Sequence, residues 1–128
     1  MVNGNAILIA LHQAAALTRA KIHVHTSHNR FERDVFAQGT RLFLFYGLHQ
    51  APDESGVLIY LNKKTRQFAF IYGNRIDQAI GDSYWKTFSH HFSEDLHTTH
   101  PDNALSIAVL TLAQTLSRRF PSHSVKNK

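Results

Sequence analysis

Gly56-Val57-Leu58-Ile59-Tyr60-Leu61-Asn62-Lys63-Lys64-Thr65-Arg66-Gln67-Phe68-Ala69-Phe70-Ile71-Tyr72-Gly73 is the stretch on which the fold turns. Two apolar runs of five, residues 57–61 and 68–72, flank a charged turn. Runs this short, bounded by glycine and polar clusters and rich in β-branched and aromatic residues, read as buried strands rather than helix pieces. A strand with no polar alternate is covered on both faces, which calls for helices above and below it. The remaining segments supply them.

Working outward, residues 21–26 alternate, with Ile22 and Val24 on one side and His23 and His25 on the other, which predicts a strand with one more polar face. Between that strand and the hairpin, Asn29 followed by Glu32 has capping-box spacing and predicts the start of a helix. Val35, Gly39, Leu42, Phe43 and Tyr46 share one face of that helix, and Gly47 stops it. Residues 50–55, with Pro52 and two acids, form a loop.

At the N-terminal end, Ile7, Ala10, Leu11, Ala14 and Leu17 make one apolar helix face over residues 5–19, capped by Asn3 or Asn5. After the hairpin, residues 76–80 give at most a short helical turn. Asp82 or Ser83 then caps a helix through Trp85, Phe88 and Phe92, and residues 94–100 are polar and loop-like. Pro101 opens the last helix, with Leu105, Ala108, Val109, Leu112 and Leu116 as its buried stripe, and Phe120-Pro121 closes it. The order α-β-α-β-β-α-α predicts a parallel βαβ crossover followed by an antiparallel return. The expected fold is a three-layer α/β/α sandwich with a small mixed sheet. It forms a single domain over residues 1–121, with a disordered basic tail over 122–128.

Composition bounds the function. With 43% hydrophobic and 18% charged residues in 128, the chain is an ordinary globular one. It has no cysteine, so disulfides, thiolate ligands and a cysteine nucleophile are excluded. The run at residues 6–11 has no basic residue before it and is broken by His12-Gln13. It therefore reads as neither export signal nor membrane span. The net charge of +5 is concentrated in Arg118, Arg119, Lys126 and Lys128 and in the turn Lys63, Lys64 and Arg66. An anionic partner is one reading of this and a solvated surface the other. Aromatic-basic interleaving and nucleic-acid motifs do not accompany the charge, so a nucleic-acid partner is not expected.

Together, residues 56–61 and 66–73 resemble the TPM-domain family, the thylakoid-lumen acid-phosphatase-like proteins and their bacterial relatives. Residues 76–85 continue the resemblance, as do residues 18–25, 36–48 and 116–121. It covers nearly the whole chain and favours a short bacterial form, expected in the cytoplasm. The resemblance implies an α/β/α sandwich, with some members described as acid phosphatases and some as calcium binders through acids near the strand ends. Carried over, Asp82 matches an Asp after the hairpin and Arg66 an Arg in the turn, the two catalytic candidates. At the positions of three family acids stand Ala15, Lys21 and Thr65, which points to a reduced calcium site, since Ca²⁺ takes six to eight oxygens.

Other chemistry is thinly represented. Asp82, His25 and Asn62 are the candidate ligands of a divalent cation. The ten histidines also offer His23, His25 and His28, or His90, His91, Glu94 and Asp95 with His97 and His100, to Zn²⁺ or Ni²⁺. The His-Glu-x-x-His spacing is absent, and surface histidines are the favoured reading. No Gly-x-Ser-x-Gly elbow, Walker loop or dinucleotide motif occurs. By architecture the site belongs at the outer end of the parallel strands, from His25 to Asn29 with Asn62. The expected function is a monomeric binding or accessory module meeting a protein partner. A calcium-linked phosphatase and a basic domain on an anionic surface stand as the alternatives.

Overall fold

The computed structural model describes residues 3–51 and 54–122, with side chains from Ala6 onward. Their elements run α1 (Asn3–Leu17), β1 (Lys21–Ser27), α2 (Val35–Phe45), a 3₁₀ turn (Leu48–Gln50), β2 (Gly56–Asn62), β3 (Phe68–Tyr72), α3 (Asn74–Ile80), α4 (Asp82–Thr98) and α5 (Pro101–Leu116). Helices and a mixed sheet place the chain in the α/β class, as the sequence predicts. It divides into two compact units, one of residues up to Ala20 and from Ala79 on, the other of residues 21–78.

The sheet lies in the second unit, in the order β1-β2-β3. β2 pairs in parallel with β1, from Lys21 beside Gly56 to Ser27 beside Asn62, and antiparallel with β3, from Val57 beside Tyr72 to Leu61 beside Phe68. Every residue of β2 is buried, so its unbroken apolar run reports a central strand. α2 packs on one face, where Phe43 joins Leu48, Leu58, Ala69 and Ile71 in a cluster flanked by Val35 and Leu42. Paired residues of neighbouring strands share a face, so His23 and His25 stand beside Leu58 and Tyr60 on the side that α2 covers.

Two glycines shape this unit. Gly47, in the left-handed region at φ 72°, follows α2 and leads into the 3₁₀ turn. At Gly56 an added Cβ would lie 2.4 Å from the Leu48 carbonyl oxygen, so that turn and the start of β2 approach as closely as they do only without a side chain.

In the first unit α5 carries the expected stripe, with Leu105, Val109, Leu112 and Leu116 fully buried. Ala10 and Ala14 of α1 and Trp85, Phe88, Phe92 and Leu96 of α4 are also buried. Thr18 bonds the Phe120 carbonyl through its hydroxyl and bridges to Pro121, which ties the end of α1 to the turn after α5.

Four local expectations change. α2 is capped by Asp34, whose carboxylate accepts from the Ala37 N–H at 3.0 Å, and not by Asn29. Residues 94–98 continue α4 because Leu96, four after Phe92, gives the polar stretch an anchor on the buried side. Gly81 occupies the N-cap of α4 without a side-chain bond, so Asp82 sits at the first helical position rather than capping it. On α1, Leu17 is exposed. The capping expected of Asn3 or Asn5 falls on side chains outside those described. Most of the expected tail, residues 123–128, lies outside the described residues as well, while Ser122 is buried.

Candidate functional site

The carboxyl ends of the parallel strands β1 and β2 open on a cleft of about 800 Å³ lined by His25, Thr26, Ser27, Glu32, Gln38, Arg41, Leu42, Leu44, Phe45 and Tyr60. This is where open α/β sheets hold ligands, because side chains and loops diverge there. β1 delivers His25 and Ser27, β2 delivers Tyr60, and α2 supplies Arg41 with the apolar Leu42, Leu44 and Phe45.

Glu32, in the loop between β1 and α2, organises the floor. Its two oxygens accept from different donors: the Tyr60 hydroxyl on one, and the Asn62 side-chain amide at 2.6 Å on the other. The same Asn62 nitrogen donates to the Asn29 carbonyl at 2.8 Å. Asn62 Oδ1 in turn accepts from the Lys64 and Thr65 N–H groups at 2.9 and 3.2 Å, which forms the Asx turn of the hairpin. Backbone N–H groups only donate, so they fix which end of the amide is oxygen. Fully buried, Asn62 thus spends both ends on the scaffold.

Above this floor, His25 stacks on Tyr60 with ring centroids 5.5 Å apart and only 7° between planes. Its Nδ1 is 3.0 Å from the Tyr46 hydroxyl, while His23 lies against the Tyr46 ring at 4.0 Å. Burial, and then the proximity of His25, lower the pKa of His23. Burial and the bond to Glu32 raise that of Tyr60, so its hydroxyl keeps its proton and remains a donor. Arg41 donates to Gln38 at 2.9 Å, a neutral partner that leaves its charge uncompensated by that contact.

Of the residues singled out from sequence, His25, Asn29 and Asn62 come together here. Arg66 does not line the cleft; it stands in the hairpin turn at φ 65°, its N–H donating to the Asn62 carbonyl. Asp82 opens α4 and belongs to the first unit. Sequence reasoning missed Glu32, Tyr60, Arg41 and Tyr46. Its spacing predicts a capping role for Glu32, yet the three residues from Asn29 to Glu32 form a turn, with the Glu32 N–H on the Asn29 carbonyl at 3.1 Å.

Three other histidines have local roles. His90 pairs with Glu94 at 3.3 Å, His97 meets the Ser93 carbonyl at 2.8 Å, and His100 caps α5 by accepting from the Asp102 N–H. Among the described residues, no three His, Asp or Glu side chains stand close enough together to hold a metal ion, and no helix is long and apolar enough to cross a membrane.

The fold has solved counterparts. The NMR structure of the BA42 protein from the psychrophilic bacterium Bizionia argentinensis matches with a TM-score of 0.85, at 22% identity over 94% of this chain and 83% of that one. At that identity the likeness speaks for the fold alone. No curated protein matches the chain. A family model described as the TPM domain matches residues 3–115, and on that span the chain belongs to the TPM-domain family.

Proposed function

We propose that this TPM domain is a non-catalytic binding module with a reduced acidic site. Its strand-end cleft accepts a small organic anion with an apolar part. One observation carries the reading: Glu32, the only carboxylate among the residues lining the cleft, has one oxygen held by Tyr60 and the other by Asn62. A carboxylate engaged in this way positions a loop, whereas a calcium-linked hydrolase of the family's kind needs several acidic oxygens turned toward the cation. What the cleft offers is Arg41, the imidazole of His25 and the side chain of Thr26, beside Leu42, Leu44 and Phe45. A guanidinium next to an apolar wall suits a carboxylate on a hydrocarbon or aromatic body.

Three titrations of the purified chain test this. Benzoate should shift the amide resonances of His25, Ser27, Arg41 and Tyr60, and Arg41→Gln should abolish those shifts. Calcium should give no calorimetric binding in the micromolar range, and p-nitrophenyl phosphate should not be hydrolysed with or without it. Micromolar calcium affinity together with hydrolysis that Asp82→Asn removes would replace this reading with the phosphatase one.

A further inference from the structure

In the order β1-β2-β3, β1 is an edge of the sheet. The Lys21 N–H on the Ser55 carbonyl and the Lys63 N–H on the Ser27 carbonyl show which of its backbone groups turn to β2. Those groups alternate in direction along a strand. Residues 21, 23, 25 and 27 therefore serve the pair with β2, while Ile22, Val24 and Thr26 aim their N–H and C=O groups the other way. Among the described residues, none of these outward groups has a hydrogen-bond partner. No residue of β1 is fully buried, against all seven of β2. Unpaired ladder groups are a template for another strand, and folds blunt them with proline, bulges or charge. β1 carries none of these devices beyond Lys21: its register with β2 is unbroken, and residues 22–27 include no proline, carboxylate, lysine or arginine.

We propose that the open edge of β1 pairs antiparallel with β1 of a second copy of this chain, joining two three-stranded sheets across a two-fold axis at Val24. The occupant is a second copy because the strand is its own complement about that residue, as a two-fold interface requires. Ile22 then faces Thr26 of the second copy, Val24 faces Val24, His23 faces His25, and Lys21 faces Ser27. Every outward N–H meets an outward carbonyl, since residues of matching direction exchange both bonds. An axis at His23 or His25 would instead leave one of the three outward residues of each copy opposite a residue outside the strand. On one face of the joined sheet the pairs are β-branched, which suits a pleated surface. On the other, imidazole meets imidazole, and burial and then His25 lower the pKa of His23, so that pair holds a neutral ring at neutral pH. Lys21 comes opposite a hydroxyl rather than a like charge. The helix layer leaves this edge clear, because the core contacts of α2 are with Leu58, Ala69 and Ile71 of β2 and β3. The sequence alone suggests a monomer; the open edge enters only with the strand order.

Analytical ultracentrifugation of the full chain should show a monomer–dimer equilibrium that follows concentration. The amides of Ile22, Val24 and Thr26 should exchange with deuterium more slowly as that concentration rises. Val24→Pro removes an outward donor and no β1–β2 bond, which is where a sheet tolerates proline. It should keep the fold by NMR and sediment as a monomer. Because the chain has no cysteine, single substitutions report the alignment. Mild oxidation should link Val24→Cys to its counterpart, since directly paired residues stand about 5.5 Å apart at Cα, within the span of a disulfide. Ile22→Cys should stay unlinked, its counterpart lying four residues along the partner strand, roughly 14 Å away. Neither Ile22 nor Val24 lines the strand-end cleft, so the dimer stands apart from the reading of that site. Four results would overturn the proposal: a monomer at every concentration, a dimer in which the three amides exchange at a constant rate, a folded Val24→Pro that still dimerises, or Ile22→Cys linking as readily as Val24→Cys. Should Val24→Pro fail to fold, exchange in the wild type and the two cysteine variants still decide.

Discussion

Helix α5 buries nine of its sixteen residues, whereas α2 buries two of its eleven. Yet α2 is the more apolar in composition, with seven Val, Phe, Ala or Leu residues in eleven against nine apolar residues in sixteen. The difference lies in placement and shape. In α5 the apolar residues are aliphatic and follow the three- and four-residue spacing of a single stripe. In α2 the stripe is narrow, and the large side chains of Phe36, Leu44 and Phe45 fall beyond it. Apolar content alone therefore says little about burial.

That contrast can be broken most directly by truncation. Leu112→Ala in α5 should cost about 2–5 kcal/mol by chemical denaturation, since a fully buried leucine leaves a cavity. Phe45→Ser in α2, though it removes more apolar surface, should stay within about 0.5 kcal/mol of wild type. Comparable losses at the two positions would mean that the outer side of α2 is packed after all.

A smaller effect sharpens the same comparison, because the second unit adds the polar network of Asn62 and Glu32 to its apolar cluster. Asn62→Ala should lower stability by roughly 1–3 kcal/mol, leaving the Glu32 carboxylate short of a donor and two turn N–H groups short of an acceptor. Hydrogen exchange should quicken for residues 29–34 and 63–66 and leave α5 unaffected. Uniform acceleration along the chain would argue that Asn62 has no local role.

The smallest effect is a pH dependence. His23 titrates below its usual value through burial and then His25, so the unfolded chain takes up that proton at a higher pH than the folded one. Its contribution to stability is complete above the ordinary histidine value, about 6.5, and is lost as the pH falls through the lowered one. His23→Gln should flatten the decline in melting temperature on mild acidification. A slope identical to wild type would place His23 in solvent.

How much of this was legible beforehand differs by element. The hairpin was, because five-residue apolar runs around a charged turn have few other interpretations; β3 falls on residues 68–72 as expected, and β2 extends one residue beyond 57–61 at each end. The stripe of α5 was equally plain. The end of α4 was not, since one leucine among the seven mostly polar residues 94–100 decides it. The cleft was located by the topology of parallel strands, but its contents were not: Glu32 and Asn62 are thirty residues apart, and only the crossover brings them into contact. Local spacing assigned Glu32 to a helix cap, because in a sequence a side chain that turns inward looks the same as one that turns back.

The two ends of β2 also settle a matter of alignment. Slipping β1 by one residue would send His25 to the wrong face, an error that the alternation of side chains already forbids. A slip of two preserves every face, and the apolar pattern cannot detect it. The Lys21 N–H on the Ser55 carbonyl at one end, and at the other the Lys63 N–H on the Ser27 carbonyl with Asn62 holding Asn29 and Glu32, mark the chain at both ends of the parallel pair. With both marks in place, only one of the face-preserving alignments closes, and the strand carries its own ruler.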